Sequence, residues 1–295
     1  MRNRIAKRVA TSLFAATLAL GALGTAQADE HGGMKSVEFG WTAWSDAEFV
    51  TKLAKQVIEA NYDYKVELTL ADIGVQYQGV AKGDLDGMLM AWLPDTHGNY
   101  MERVGDDVVD LGPLYEGARL GWIVPNYVPE VALSSIEDLK KEGNIKKLDG
   151  TIQGIDPGAG LMQLSETTME EYGLDDYRLQ SASGAAMTAA LKRAVDNGEW
   201  IVVTGWTPHW KFGRFDLRFL EDPKGTLGEA QHIDAIVREG FKEDHPEIAA
   251  FLTNMYIPLD ELQAAMAKAQ ATSYEEAIDA YIAENQERIQ GWIDG

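Results

Sequence analysis

In the first half of the chain, short apolar runs alternate with segments whose apolar residues recur at helical spacing. The runs predict strands at 37–39, 65–70 and 87–92, and the segments between them predict helices from Ser45 or Asp46, as N-cap, and over 76–82. The strands lack polar alternation and are separated by helices. Such a pattern is typical of a parallel sheet that is covered on both faces.

The second half repeats this pattern and ends in helices. Strands are predicted at 152–156 and 200–204, a helix after the turn 157–160, and another helix over 185–195. Capping boxes at Ser134 with Glu137, and at Ser273 with Glu276, predict two further helix starts. The chain from about residue 257 onward is predicted to be mostly helical.

The two series indicate two α/β lobes. Lobe I is predicted to comprise 35–122 and 230–295, and lobe II to comprise 123–229. Each lobe contains a strand that ends in Trp-x-Pro with a His shortly after it: Trp92 with His97, and Trp206 with His209. Since ligands bind at the carboxyl ends of the strands in open α/β sheets, we expect both tryptophans to face one shared cleft.

The first 28 residues read as a signal peptide. Four basic residues precede an apolar run at about 9–23, and the small-x-small sequence at 26–28 follows, so cleavage is expected after Ala28. The alternative is a membrane anchor, but the run is shorter than the roughly 20 residues that a span needs. Without a Cys after the run, no lipid anchor is expected, and we predict a periplasmic protein.

The charge narrows the range of partners. The 295 residues include 47 acidic and 26 basic residues, a net charge of −21. The predicted signal peptide holds four of the bases and no acid, so the 267 remaining residues carry −25. This charge repels phosphate backbones and anionic lipids, which argues against nucleic-acid or membrane-surface binding. The excess acid is expected on the solvated surface, for example at 106–107, 170–171 and 275–276.

The sequence contains few signals of catalysis. It has no Cys, which excludes disulfides and a Cys nucleophile, and no Gly-x-Ser-x-Gly or His-Glu-x-x-His motif. Gly158 and Gly160 match only half of a dinucleotide fingerprint. We therefore predict no cofactor, no metal site and no enzymatic activity.

Tryptophans at strand ends are the main candidates for ligand contacts. Trp44, Trp92 and Trp206 each lie where a predicted strand gives way to a loop. A single such Trp is more often part of a core, but three at equivalent positions favour a binding role. Indole faces attract cations that have no hydrogen-bond donors, so the three predict a quaternary ammonium site, for which no carboxylate is required.

The turn at 156–161 favours an anion. It joins a predicted strand to a helix, so its free N–H groups and the helix dipole are expected to bind a small negative group. A phosphate loop would need the Gly-Lys-Ser/Thr residues that this turn lacks. A carboxylate therefore fits better than a phosphate.

Three segments, 91–97, 154–162 and 204–210, closely resemble the glycine betaine binding proteins of ABC transporters, of the OpuAC type. The resemblance runs from about residue 37 to residue 256. It implies a type II periplasmic-binding-protein fold that closes around its ligand. It also implies an ammonium box of Trp44, Trp92 and Trp206, and carboxylate contacts from His97 and from the N–H groups of Gly160 and Leu161.

Neighbouring aromatic residues are assigned to supporting roles. Trp41 is an alternative to Trp44 as the third wall of the box. Tyr77, His209 and Trp210 are expected to brace the ligand-binding residues, and the tryptophans expected to pack in the core or on the surface are Trp122, Trp200 and Trp292.

The resemblance implies capture of glycine betaine or a related betaine such as proline betaine, for osmoprotection. The partners would be an ABC permease and its ATPase, and the binding protein would be a monomer. Choline, carnitine or a dimethylsulfonium compound are alternative ligands. A secreted α/β hydrolase and a solute sensor that docks on a receptor are the alternatives from other classes.

Overall fold

A computed structural model of the chain describes residues 34–295. The predicted signal peptide at 1–28 lies outside the described residues. Within the described range, every helix falls short of the length and apolar character needed to cross a bilayer.

The strands form one mixed sheet. In chain order they are β1 (Lys35–Trp41), β2 (Tyr64–Leu70), β3 (Gly87–Leu93), β4 (Val108–Pro125), β5 (Thr151–Gln153), β6 (Arg178–Gln180), β7 (Val202–Thr207), β8 (Leu217–Phe219) and β9 (Gln231–Arg238). Their order across the sheet is β2-β1-β3-β9-β4-β7-β5-β6, with β8 paired to β4.

The long strand β4 connects the two parts of this sheet. Its first part, from Val108 to Ala118, pairs with β9, and the next residues, Arg119 to Ile123, pair with β7. The predicted lobe boundaries fall in and near these strands and stay a prediction.

The prediction of a parallel sheet is correct for part of the molecule. β1 pairs in parallel with β2 and β3, and β5 pairs in parallel with β6 and β7. Around β4 and β9 the pairing is antiparallel instead. The reason is that β9 returns from late in the chain and inserts between β3 and β4, a pairing that local pattern does not reveal.

Helices cover the sheet. They are α1 (Ser45–Asn61), α2 (Ile73–Lys82), α3 (Gly98–Val104), α4 (Glu142–Leu148), α5 (Gly160–Tyr172), α6 (Gly184–Asn197), α7 (Lys211–Arg214), α8 (Phe241–Asp244), α9 (Pro246–Asn254), α10 (Leu259–Ala271), α11 (Tyr274–Glu284) and α12 (Gln286–Asp294). Short 3-10 helices lie at Gly105–Asp107 and Ile136–Lys140. The last three helices confirm the predicted helical C-terminal region.

Two predicted helix starts are wrong in detail. α1 begins at Ser45 with Trp44 at its N-cap position and without a side-chain cap, because Asp46 bonds to distant groups. The first capping box uses Ser135 and Asp138, one residue later than predicted, and opens a 3-10 helix. At α11 the Ser273 side chain does accept from the Glu276 N–H, as predicted.

Two strand bounds also differ. β5 ends at Gln153 rather than at 156, and the turn before α5 follows at 157–158. β7 begins at Val202 and continues through Trp206, which places this Trp within the strand end. The acidic pairs expected on the surface are exposed there.

Candidate functional site

A small apolar cavity lies where the ends of β3 and β7 meet the start of α5. We call it the central cavity; it offers about 20 Å³ of free space. That exceeds the roughly 10–15 Å³ that one water needs on this measure. Its lining residues are Trp44, Trp92, Thr96, His97, Leu120, Ile155, Ala159, Gly160, Leu161 and Trp206.

Three indoles form much of the cavity wall. Trp92 lies in β3, Trp206 lies in β7, and Trp44 lies between β1 and α1. The ring centroids of Trp44 and Trp206 are 6.3 Å apart with the planes inclined by 59°. All three side chains are buried. Indole rings held at angles around a small space are suited to surround a quaternary ammonium group.

Two carboxylates hold the indole edges. The Trp44 Nε1–H donates to Asp156 Oδ2, and the Trp206 Nε1–H donates to Asp46 Oδ1, both at 3.0 Å. The sequence pattern does not indicate these two carboxylates, which lie at the indole edges and outside the cavity lining. An acceptor at the indole edge fixes the ring orientation, and its negative charge makes the ring face more attractive to a cation.

Asp46 is fully buried and receives a second hydrogen bond, from the Tyr115 hydroxyl at 2.8 Å. Burial raises the pKa of Asp46, and the hydrogen bonds from Tyr115 and Trp206 oppose this rise. Its position in the first turn of α1 also favours the anion.

His97 presents a defined hydrogen-bond donor. Its Nδ1 accepts the Trp92 N–H at 3.0 Å, and burial lowers the pKa of His97 to about 3. The ring is therefore neutral at pH 7 and carries its proton on Nε2. Tyr77 and Tyr100 contact it edge to face, with centroids at 5.7 and 5.9 Å.

The start of α5 supplies backbone donors. Among the hydrogen bonds of residues 34–295, the N–H groups of Gly160 and Leu161 have no acceptor, and the N-cap residue Ala159 provides no side-chain cap. A Cβ at Gly160 would lie 2.1 Å from the Thr96 carbonyl oxygen, so only glycine permits this approach. Two free N–H groups at a helix start, near the His97 ring, form a site for a small anion.

Residues 35–284 match the family described as the substrate binding domain of the ABC-type glycine betaine transport system. The chain belongs to this family. The glycine betaine/carnitine transport binding protein GbuC of Listeria monocytogenes is 41% identical over 161 residues, 54% of this chain and 53% of that protein. The alignment thus spans about half the length of this curated relative.

Solved structures of family members have the same fold. Lactococcal OpuAC, in a closed conformation with glycine betaine, is 37% identical with a TM-score of 0.82, over 88% of this chain and 99% of that one. ProX from Borrelia burgdorferi, a glycine/betaine/L-proline-binding protein, is 32% identical with a TM-score of 0.82, over 88% and 97%. A choline binding protein in complex with choline is 25% identical with a TM-score of 0.81, over 88% and 92%.

These matches confirm the predicted fold. This chain has the type II periplasmic-binding-protein fold, as the resemblance of its sequence motifs implied. The family comprises the substrate-binding components of glycine betaine transporters.

The structure brings all six predicted ligand contacts to the central cavity. Trp44 lines it and Trp41 is absent from its lining; Trp41 is half-buried at the end of β1, with the Lys52 ammonium 5.2 Å from its ring centroid. The ligand-binding role of these residues stays a prediction.

The supporting aromatics lie directly behind the lining. Tyr77 stacks on Tyr100 at 5.1 Å, and both contact His97. His209 contacts the Trp206 ring edge to face at 4.8 Å, and Trp210 lies 5.2 Å beyond His209. His209 and Trp210 line a neighbouring cavity of about 260 Å³.

The remaining tryptophans pack away from the cavity. Trp122 is fully buried and donates to the Ser165 hydroxyl, Trp200 is half-buried next to Lys147, and Trp292 packs against Phe251. Within residues 34–295, no group of three His, Asp or Glu side chains is placed to hold a metal ion.

Sequence reasoning missed Asp46, Asp156 and Lys211. From the sequence, Asp46 is a candidate helix cap, and Asp156 lies in the segment 154–162 without an assigned role. The signal that could have found Asp46 is its position two residues after Trp44. Lys211 lies directly after the Trp206 motif, where a basic residue gives no sign that it is buried.

Proposed function

We propose that this chain binds glycine betaine or a related betaine, such as proline betaine, in the periplasm and delivers it to an ABC permease and its ATPase. It would act as a monomer, bind its ligand without chemical turnover, and serve osmoprotection. The observation that carries the proposal is the central cavity, which combines indole faces with hydrogen-bond donors on one small space.

The indoles suit the ammonium end of the ligand. A trimethylammonium group has no N–H to donate, so it gains little from polar partners and much from three electron-rich faces. Each contact is worth about 0.5 to 2 kcal/mol, at the upper end when water is excluded. Asp46 and Asp156 at the indole edges make the ring faces more attractive to a cation, although neither residue lines the cavity.

The donors suit the carboxylate end. The neutral His97 ring offers its Nε2–H, and Gly160 and Leu161 offer their N–H groups at the helix start. A protonated His would bind an anion more strongly, but it would also place a second cation near the ammonium group. Neutral donors plus a helix dipole bind the carboxylate without that cost.

The proposed ligand contacts are divided between the two predicted lobes, and this division predicts that the lobes close around the ligand. Trp44, Trp92 and His97 belong to predicted lobe I, while Trp206, Gly160 and Leu161 belong to predicted lobe II. Each set supplies only part of the contacts to either end of a zwitterion, so the ligand stabilises the state in which both sets meet. The contact of Thr96 with Gly160 and the two indole–carboxylate bonds join the two sets.

Choline is the second candidate, because a relative of 25% identity binds choline. Choline shares the ammonium group but lacks a carboxylate, so the donors around His97 and α5 would have no anion to bind. The donor set favours a betaine.

Titration calorimetry and tryptophan fluorescence with glycine betaine, proline betaine, carnitine and choline test the proposal. We expect saturable binding with one site per chain, tightest for a betaine, and a fluorescence change because the ligand contacts indoles. Absence of binding for the whole panel, or consumption of the ligand, would overturn it.

A further inference from the structure

Lys211 is a fully buried basic residue that the proposed site does not use. Its side chain is fully buried at the start of α7, and its Nζ lies 4.2 Å from the centroid of the Trp206 ring. Among the described residues this Nζ has no hydrogen-bond partner. The Lys211 Cε lies 3.1 Å from the point that a Cβ at Gly205 would occupy, so the glycine gives the stem its space.

The Lys211 ammonium contacts a Trp whose ring also lines the central cavity. Lys211 is not among the residues that line the central cavity. Trp206 therefore has the Asp46 carboxylate at its Nε1–H and the Lys211 ammonium over its ring, while the same indole lines the cavity. The ligand's cation and the lysine would share a single ring.

We propose that Lys211 determines specificity by disfavouring ligands with a net positive charge, such as choline, relative to zwitterionic betaines. This rests on the proposed function. Two cations at one buried indole compete for the same negative quadrupole and repel each other across a dry, low-dielectric region. A betaine brings a carboxylate that offsets part of this repulsion, and choline brings none.

The charge of Lys211 changes near neutral pH. Burial lowers the pKa of Lys211 to about 7, and Asp46 opposes this effect. The repulsion is therefore strong below neutral pH and weak above it. Choline affinity rises as the pH increases from about 6 to about 8.5, and betaine affinity rises less.

The other titratable groups around Lys211 lie on several elements. Asp46 of α1 and His209 before α7 interact with the Lys211 charge, and Tyr115 of β4 donates to Asp46. Burial raises the pKa of Tyr115 and lowers that of His209, each well away from its ordinary value, so both stay neutral in this pH range. Asp46 remains when Lys211 is replaced, so a Lys211 variant separates its effect from that of the lysine.

Calorimetric titration of glycine betaine and choline at about pH 6 and pH 8.5 tests the proposal with Lys211→Met, which keeps the shape of the side chain and removes its charge. We expect the variant to bind choline about three- to tenfold more tightly at pH 6, to bind glycine betaine with a smaller change, and to lose the pH dependence of choline binding. Lys147→Met is the matched control. It removes another lysine placed 4.0 Å over an indole, that of Trp200, away from the cavity, and should change nothing.

A second measurement needs no variant. Wild-type protein titrated with choline near pH 7 in phosphate and in Tris, which differ in ionisation enthalpy, should release protons as Lys211 loses its charge, and glycine betaine should release fewer. Unchanged selectivity in Lys211→Met, or equal proton release for both ligands, overturns the role of Lys211 and leaves the proposed function intact. Failure of the wild type to bind either ligand overturns both.

Discussion

The two Trp-x-Pro motifs look alike in sequence but lead to different buried bases. Five residues after Trp92 is His97, and five residues after Trp206 is Lys211. Both are fully buried bases with lowered pKa values, of about 3 for His97 and about 7 for Lys211. His97 lines the cavity and offers a donor, whereas Lys211 lies against the Trp206 ring without lining the cavity.

The two Trp-x-Pro motifs therefore position their buried side chains differently. In the first motif the loop after Trp92 turns inward, because the Trp92 N–H donates to the His97 ring and fixes it. In the second, His209 takes the equivalent bond, from the Lys211 N–H at 3.1 Å, and packs against Trp206. In the proposed binding mode both tryptophans contact the ligand, His97 contacts it directly as well, and Lys211 acts on it only through Trp206.

The largest expected effect on ligand affinity tests the contact between the loop after Trp92 and the start of α5. In Gly160→Ala the new Cβ would meet the Thr96 carbonyl oxygen at 2.1 Å, a backbone atom that moves only with its whole loop. We expect glycine betaine binding to weaken by about 3 kcal/mol, roughly 150-fold, because the loop and α5 can no longer meet. Calorimetry measures this loss.

The control is Gly158→Ala, two residues earlier in the same turn, where a Cβ has nothing within 4 Å. It should bind like the wild type. Equal losses in the two variants would show that the turn, rather than the contact with Thr96, is sensitive to substitution.

Trp206→Ala tests the second motif. The variant removes one ring face and its apolar contact, so we expect glycine betaine binding to weaken by about 1 to 3 kcal/mol in a calorimetric titration. Trp41→Ala removes a half-buried indole outside the cavity lining and should leave the affinity unchanged. Unchanged affinity in Trp206→Ala would remove the second motif from the site.

The residues that line the central cavity could be predicted because their signals are local. Trp44, Trp92 and Trp206 lie at strand ends, and the turn at 156–161 precedes a helix, so short stretches of sequence carry the information. The helical C-terminal region and the N-cap Ser273 were predictable for the same reason.

The residues that sequence reasoning missed depend on contacts distant in sequence. Asp46 accepts from Trp206, 160 residues away, and an acid at a helix start is ordinarily explained as a cap. β9 inserts between β3 and β4 from the other end of the chain, which turned an expected parallel sheet into a mixed one. The burial of Lys211 follows from Gly205 and from the packing around Trp206, which the hydropathy of a single residue does not show.

A smaller effect on ligand affinity should distinguish His97 of the first motif from His209 of the second. His97→Ala removes a donor to the ligand carboxylate, so we expect glycine betaine to bind about 1.5 kcal/mol more weakly, with choline little affected. His209→Ala removes only a ring that braces Trp206 and should cost less than half as much. Comparable losses for the two variants, measured by calorimetry with both ligands, would contradict the different roles assigned to the two motifs.

The smallest expected effect, taken per pH unit, is on folding stability. Lys211 and His97 should change it in different pH ranges. Each has a folded-state pKa below its ordinary value, so the unfolded chain binds more protons between the two values, and stability rises with pH across that window. For Lys211 the window runs from about pH 7 towards its ordinary value of 10.5, and for His97 from about 3 to 6.5. The slope is at most about 1.4 kcal/mol per pH unit for each group.

Urea unfolding from pH 7.5 to 9.5 should therefore show wild-type stability rising by about 1 kcal/mol per pH unit relative to Lys211→Met. His97→Gln should leave this alkaline rise intact and instead reduce the loss of stability in acid. His209, whose pKa burial also lowers, contributes in the same acid window, so the His97 variant removes only part of that loss. A Lys211→Met protein that keeps the full alkaline rise would show that Lys211 is charged in the folded state, and the contrast between the two bases would disappear.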